Sequence, residues 1–591
     1  MLSVKITHLK IMHIFTLLVF LSIAAGLLLL LFPQSGISWK RKAVVSFMAL
    51  GVVAVLLNAL WLHGKGVDAL LDFFFLSGIP SDFLFVKTSG FSGWALSFVM
   101  FVFLLVIGLV NLQTGTIAGG SFWGWLLISA GLCMGMLMTD HLYVLVFLWG
   151  ISGIPLYMLL NTHEEAGAAA AKMTLIVFGS AHGIMITGAV MAVFLNGSGL
   201  LSSMNVDTGS WAGSAAFFAL LAGGLMKAGI FPFHSWKSAY LRATSGSPSA
   251  WLVVLTEKTV GIYFIIRMTQ DLFFLNDGVR WVLMVVAAVT VFLSLLLSLS
   301  ERNTPARIGH LAGMISGMML LGAATGNAMG ATATLAYLMV SVSAVIALLI
   351  LHSKDQNSES GQPGTKVLPT RGAMVKRLSS ILLYSLAGIP PLGVFVANFF
   401  LINAFLSGWN SWGAVSGLQL VGAGIAITGS AALVAGLLMF RKTLPGPSKA
   451  DELGNSRWNF GGMIIALVSA FTLMAAFGGW LALVMMDQNF AIRLFRDAAI
   501  HGQQIQILIP AMLLAGSLLL GLLFVRFLEA RAKGFLQAIR SMQEKGWLDV
   551  YHVFSQMVFA VNRPLSRLHD GVLQTYLVWV LAALALLFLL K

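Results

Sequence analysis

The chain has 591 residues, 59% of them hydrophobic and 9% charged, with 35 Lys and Arg against 21 Asp and Glu. A soluble chain carries about a quarter charged residues, so this composition excludes a soluble protein, and the long unbroken apolar runs exclude an outer-membrane barrel, whose strands alternate. The single cysteine, Cys133, excludes disulfides, Cys-ligated zinc and an iron–sulfur cluster made by this chain alone; the formal charge of +14 must be read loop by loop, since basic residues of membrane proteins collect at the cytoplasmic face.

In chain order, apolar runs lie near 12–32, 43–62, 91–112, 119–138, 141–160, 173–195, 213–231, 249–266, 281–300, 311–324, 331–351, 380–406, 415–440, 460–486, 507–527 and 570–590. At about 20 residues per crossing, they predict an all-α polytopic membrane protein of about sixteen transmembrane helices. The first run is too long for a signal-peptide core and reads as a helix. Lys40, Arg41 and Lys42 behind it outweigh Lys5 and Lys10 before it, which predicts an N-terminus outside. Alternation from there puts most of the Lys and Arg inside, as the positive-inside rule requires, and Lys591 outside. Residues 353–379 and 441–458 are polar and read as inside loops. Residues 526–569 mix apolar residues at helical spacing with seven Lys or Arg and read as an amphipathic lateral helix on the inner surface.

An ionisable residue near the bilayer centre costs about 2.5–3.5 kcal/mol on insertion scales and marks function by default. Glu257 is the acidic residue clearly inside a run, and Lys227 and Lys258 are the basic ones. Lys227 lies in LLAGGLMKAGIFPFHSW. Gly223 and Gly224 precede it and Pro232 follows, which predicts a broken helix here, a feature that persists in membranes where backbone lines a cavity or water path. A lysine in such a place can exchange protons or can serve as a structural cap. The second half has a counterpart, LYSLAGIPPLGVFVANFF, broken at Pro390 and Pro391, whose polar residue, Asn398, does not titrate. Paired interrupted segments point to an inverted-repeat transporter. Glu257 and Lys258 are neighbours and point about 100° apart on a helix, so each is expected to meet another helix; Glu257 is expected within one bridging water of Lys227. His182, mid-run in GSAHGIMITGAV, and His234, just past Lys227, complete the proton-transfer candidates, with a helix–helix hydrogen bond as the alternative role of His182.

The stretch KAGIFPFHSW, followed by SPSAW and EKTVGIYFIIR, together with SLAGIPPLGVF and the ending LQTYLVWVLAALALLFLL, resembles the antiporter-like subunits of respiratory complex I and its relatives. These include membrane-bound hydrogenases, formate hydrogenlyase, Mrp-type antiporters and bicarbonate-uptake complexes. The ending is similar to the long, hydrogenase-like branch. The resemblance implies two inverted five-helix repeats with broken helices, a lateral helix and a C-terminal anchor helix. It also implies that Lys227 is the proton-accepting lysine of the first broken helix. Several positions depart from the family pattern. Gly150 follows Trp149 where a glutamate is expected, Val253 stands where histidine is frequent, the run from Tyr337 to His352 has no titratable residue between its ends, and Asn398 replaces a lysine.

The sequence accordingly divides into 1–118, N-terminal helices; 119–270 and 271–440, the two repeats; 441–525, further helices; 526–569, the lateral segment; and 570–591, the anchor. The function expected is a proton-translocating, or Na+-linked, subunit of a complex-I-like or hydrogenase-like redox complex in a bacterial or archaeal cytoplasmic membrane, with much of the relay lost. A largely structural subunit that straps its neighbours, and the membrane subunit of an inorganic-carbon uptake complex, are the alternatives. No cofactor or metal is expected in this chain and no redox or hydrolytic centre. The expected partners are other membrane subunits, redox or soluble subunits and the lipid bilayer, with no nucleic acid.

Overall fold

A computed structural model describes residues 19–31, 120–161, 165–243, 248–352, 370–390, 393–406, 416–443, 508–531 and 533–545, with a few single positions beyond. The runs expected at 43–62, 91–112, 460–486 and 570–590, Pro391, and most of the lateral segment past residue 545 lie outside the described residues.

The described chain is helical: α1 Val19–Leu31, α2 Gly120–Met138, α3 Leu142–Ile151, α4 Gly153–Leu160, α5 Glu165–Asn196, α6 Trp211–Ala228, α7 Ser235–Ala243, α8 Pro248–Arg267, α9 Asp277–Ser300, α10 Thr304–Ala324, α11 Ala328–Leu351, α12 Thr370–Leu386, α13 Gly393–Leu406, α14 Gly417–Thr443, α15 Leu508–Arg531 and α16 Lys533–Glu544. Eight stretches among the described residues are long and apolar enough to cross a membrane: α2, α3 with α4, most of α5, α6, α9, and the greater parts of α11, α14 and α15. Polar caps set several starts. Ser210, Asn276 and Asn303 each accept a hydrogen bond from the backbone N–H three residues on, at Gly213, Val279 and Ala306, satisfying a donor the helix leaves open.

Two ends of the bundle are distinct. At one, a parallel pair of two-residue strands, β1 Val206–Asp207 and β2 Phe273–Phe274, aligns Val206 with Phe273 and Asp207 with Phe274. Beside it His141 bridges to Leu200, and the Leu201 N–H donates to the Asp140 carbonyl at 2.8 Å. At the other end α16, the start of the amphipathic segment, docks on the end of α9. Arg540 Nε donates to the Ser300 carbonyl at 3.0 Å, and Gln543 Nε2 donates to Glu301 Oε2 at 3.2 Å.

Both interrupted spans end their first half the same way. The C-cap of α6 is Gly229, left-handed at φ 63°, with the Ile230 N–H donating back to the Leu225 carbonyl at 2.9 Å. After α12, Gly388 is left-handed at φ 73° and the Ile389 N–H donates to Tyr384. Glycine takes this conformation without strain, and the back-bonds satisfy carbonyls left open by the broken helix. Each chain then turns and resumes a helix, α7 after Pro232 and α13 after Pro390.

The expectation that Gly223 and Gly224 unwind the helix is corrected: both lie inside continuous α6. Their small size serves packing instead. A Cβ at Gly223 would sit 2.5 Å from Met185 Sδ of α5, and one at Gly224 2.8 Å from Ile265 Cγ1 of α8. Opposite, a Cβ at Gly261 of α8 would lie 2.6 Å from the Ala228 nitrogen and 2.9 Å from the Gly224 carbonyl. Backbone meets backbone there, the geometry small residues allow between membrane helices. Gly261→Val would therefore force α6 from α8 and destabilise the protein by about 1–3 kcal/mol, the usual cost of overpacking. Thermal unfolding in detergent should show a lowered midpoint; an unchanged midpoint would contradict this packing.

Candidate functional site

The close approach of α6 and α8 brings their ionisable residues together. Lys227, in the last turn of α6, and Glu257, on α8, are fully or almost fully buried, and Lys227 Nζ lies 2.5 Å from Glu257 Oε2. The contact expected through one water is direct. Nζ also donates to Ser152 Oγ at 3.0 Å. It stands 5.0 Å from the Trp149 ring and 5.2 Å from the Phe178 ring, whose negative faces favour a cation. Ser152 is placed at the junction of α3 and α4, where its hydroxyl donates to the Trp149 carbonyl at 2.6 Å. A buried ammonium thus has one carboxylate, one hydroxyl and two aromatic faces. This set holds a proton and offers it a second oxygen acceptor in direct contact.

Position 150 explains why that carboxylate comes from α8. A Cβ on Gly150 would fall 2.2 Å from His182 Cε1. The imidazole occupies the space, and His182 Nε2 donates to the Val146 carbonyl at 2.9 Å. His182 therefore ties α5 to α3, and no side chain larger than glycine fits at 150 unless it moves.

Lys258 points away from this pair, as its position on α8 predicts. Its Nζ donates to the Ala312 carbonyl of α10 at 3.2 Å and to Ser341 Oγ of α11 at 3.3 Å. It reaches the second half of the bundle and, among the described residues, no carboxylate. His234 lies in the turn between α6 and α7, stacked on Phe231 at 6.0 Å. Asn398, on the second turn of α13, faces the break at Gly388, and its Oδ1 accepts from the Tyr337 hydroxyl and, at 2.9 Å, from Ser430 Oγ. The second break is closed by neutral hydrogen bonds.

Two buried residues escape a reading by apolar runs. Lys237 of α7 is 4% exposed and donates to the Ala228 carbonyl at 2.6 Å. His310 of α10 is 5% exposed, and its Nε2 has no hydrogen-bond partner among the described residues. At the surface near them, Glu301 pairs with Arg242. Burial works to raise the Glu301 carboxyl, but the Asn303 N–H and the Arg242 guanidinium outweigh it and hold the group below the usual carboxylate range.

Residues 139–426 match the family described as NADH:quinone oxidoreductase/Mrp antiporter, transmembrane. NADH-quinone oxidoreductase subunit N of Francisella tularensis subsp. holarctica is 25% identical over 404 residues, 61% of this chain and 82% of that protein. Na(+)/H(+) antiporter subunit A1 of Staphylococcus saprophyticus is 24% identical over 305 residues, 47% of this chain but 37% of that longer protein. A solved Mrp complex from Dietzia sp. DQ12-45-1b shares the fold, with a TM-score of 0.72 at 16% identity, covering 97% of this chain and 62% of that one.

Removing one partner of a buried ion pair leaves the other charge uncompensated, at a typical cost of about 3–5 kcal/mol. Glu257→Ala should be destabilising on that scale, whereas Glu257→Ala combined with Lys227→Met should recover most of the loss. Thermal unfolding of both variants checks this; equal midpoints for the single and the double variant would mean that the pair is not coupled.

Proposed function

We propose that this chain, whose residues 139–426 match the NADH:quinone oxidoreductase/Mrp antiporter transmembrane family, translocates protons through its first half, with Lys227 as the carrier. The observation that supports this reading most is the buried Lys227–Glu257 pair at the end of a broken helix. The direct carboxylate contact offsets the Lys227 charge when the amine is protonated, and the carbonyls of the break provide a polar lining. Glu257 does here what a glutamate at position 150 would do, since His182 closes that position.

Among the described residues of the second half no matching carrier faces the break. Asn398, Tyr337 and Ser430 form a neutral triad, and hydroxyls orient water without titrating near neutral pH. Protons leaving Lys227 would cross within the first half or pass sideways towards another subunit. Lys258, hydrogen-bonded to both α10 and α11, lies on the sideways route. The chain would work as one membrane subunit of a larger redox-linked assembly in a cytoplasmic membrane, with other membrane subunits and soluble or redox subunits as partners. It would need no resident cofactor of its own.

Lys227→Ala should abolish coupled proton transport in proteoliposomes of the assembled complex. Lys227→Arg should fail too, because arginine keeps its proton. Full transport by the Ala variant would overturn the assignment. Asn398→Lys alone should not increase transport, because the surrounding relay is missing; a gain would show that the second half is functional as it stands.

A further inference from the structure

The buried charges around Lys227 do not balance. Among the described residues Lys227, Lys237 and Lys258 are all buried and Glu257 is the one buried carboxylate. A single carboxylate neutralises a single ammonium, and each further uncompensated charge in the interior is costly. One carboxylate therefore serves three amines. Lys227 has the carboxylate in contact. Lys237 has the Trp236 ring 5.5 Å away and donates to the carbonyl of Ala228, the residue next to Lys227.

Its position is built with care for the amine. Ala228 ends α6, where open carbonyls and the helix dipole attract a cation, and α7 returns Lys237 to that end. The intervening Gly229 leaves room for it: a Cβ there would lie 2.6–2.8 Å from Lys237 Cδ, Cε and Nζ. Glu257 acts on the Lys237 charge through space. α10 packs closely on α7 at Gly309, whose Cβ would meet Leu241 Cδ1 at 2.8 Å, and the next residue of α10 is the buried His310. His310 lies within electrostatic reach of His234, Glu301 and Arg242, and its buried Nε2 has no hydrogen-bond partner among the described residues. Arg242, Glu301, His310 and His234 thus make one group of interacting side chains on α7, α10 and the ends of their neighbours, and Lys237 joins the Lys227 site through the Ala228 carbonyl.

We propose that Lys237 is a second proton carrier in series with Lys227, supplied through His310 from the face where α9 ends. In the transfer an N–H bond of the Lys237 ammonium breaks and, over a bridging water, an N–H bond forms on the neutral Lys227 amine beside Glu257. Lys237, now a neutral amine, takes its next proton from the His310 imidazolium, which returns to the neutral imidazole. No oxidant, reductant or other reactant enters the step. The inference rests on the assignment of Lys227 as a carrier.

The competing role for Lys237 is a cap on α6, which needs a cation but no proton exchange. Two variants separate the roles in the assembled complex, reconstituted in proteoliposomes and assayed for proton uptake. Lys237→Arg keeps the charge and the donor to Ala228 but releases protons poorly; Lys237→His exchanges protons near neutral pH. Lys237→Arg should assemble and transport at least about tenfold more slowly, in line with the loss of a proton-transfer group, while Lys237→His should recover much of the rate. Wild-type transport by the Arg variant, or a His variant no faster than the Arg variant, would overturn the proposal. If the Arg variant fails to assemble, His310→Gln decides: slowed transport in an intact complex is expected, and an unchanged rate overturns the route. Lys227→Ala runs alongside. Transport that survives Lys227→Ala defeats the carrier assignment itself, whereas transport lost there but kept in Lys237→Arg defeats only the series.

Discussion

A lysine ammonium buried at mid-bundle needs a counter-charge in contact, and the first half of this protein is arranged to supply one. Removing two ions from water costs several kcal/mol apiece, recovered only when geometry and hydrogen bonding are good. Lys227 meets that condition with Glu257 at 2.5 Å, Ser152 at 3.0 Å and the rings of Trp149 and Phe178. Each contact depends on a structural choice elsewhere. Glycines 224 and 261 let α6 and α8 approach until backbone touches backbone, and the left-handed Gly229 ends α6 one residue after Ala228.

The carboxylate's origin shows how one chemical requirement can be met from a different helix. Glu257 reaches the amine from α8, while the position beside Trp149 is a glycine covered by the His182 ring. The ring's hydrogen bond to Val146 replaces a charge with a helix-to-helix tie. In the second half the same architectural device, a helix ended by a left-handed glycine, surrounds Asn398, Tyr337 and Ser430. There the polar groups are neutral and satisfy one another. The backbone motif is repeated and the chemistry is not.

Much of this was legible in the sequence because hydropathy and charge act over whole helices. Runs of about twenty apolar residues located the described spans, and the isolated Lys227 and Glu257 stood out against them. The exact break was harder to place. Gly223 and Gly224 look like helix breakers on propensity alone, but in a membrane their value is close packing, and the turn falls at Gly229. Lys237 was hidden because Pro232, His234 and Lys237 itself make the segment after residue 231 resemble a loop. The buried Trp236 and Tyr240, four residues apart, are the helical signal that a hydropathy window smooths away. His310 was hidden one residue before an apolar run. Asn303 followed by Pro305 marks the true start of α10 and would have placed His310 inside it. The pairing of Lys258 with Ala312 and Ser341 depends on tertiary packing that no local pattern encodes.

The central proposal is that protons cross in the first half, by way of Lys227, and that the second half moves none. Transient charge displacement after a pH step, recorded from the reconstituted complex on a supported membrane, tests it most directly when the second half is made inert. With Tyr337→Phe and Asn398→Leu combined, the neutral triad is removed while Lys227 and Glu257 are untouched. A displacement current equal to that of the wild-type complex is predicted. A current abolished by that double change, in a complex that still assembles, would place the conducting path in the second half and contradict the claim.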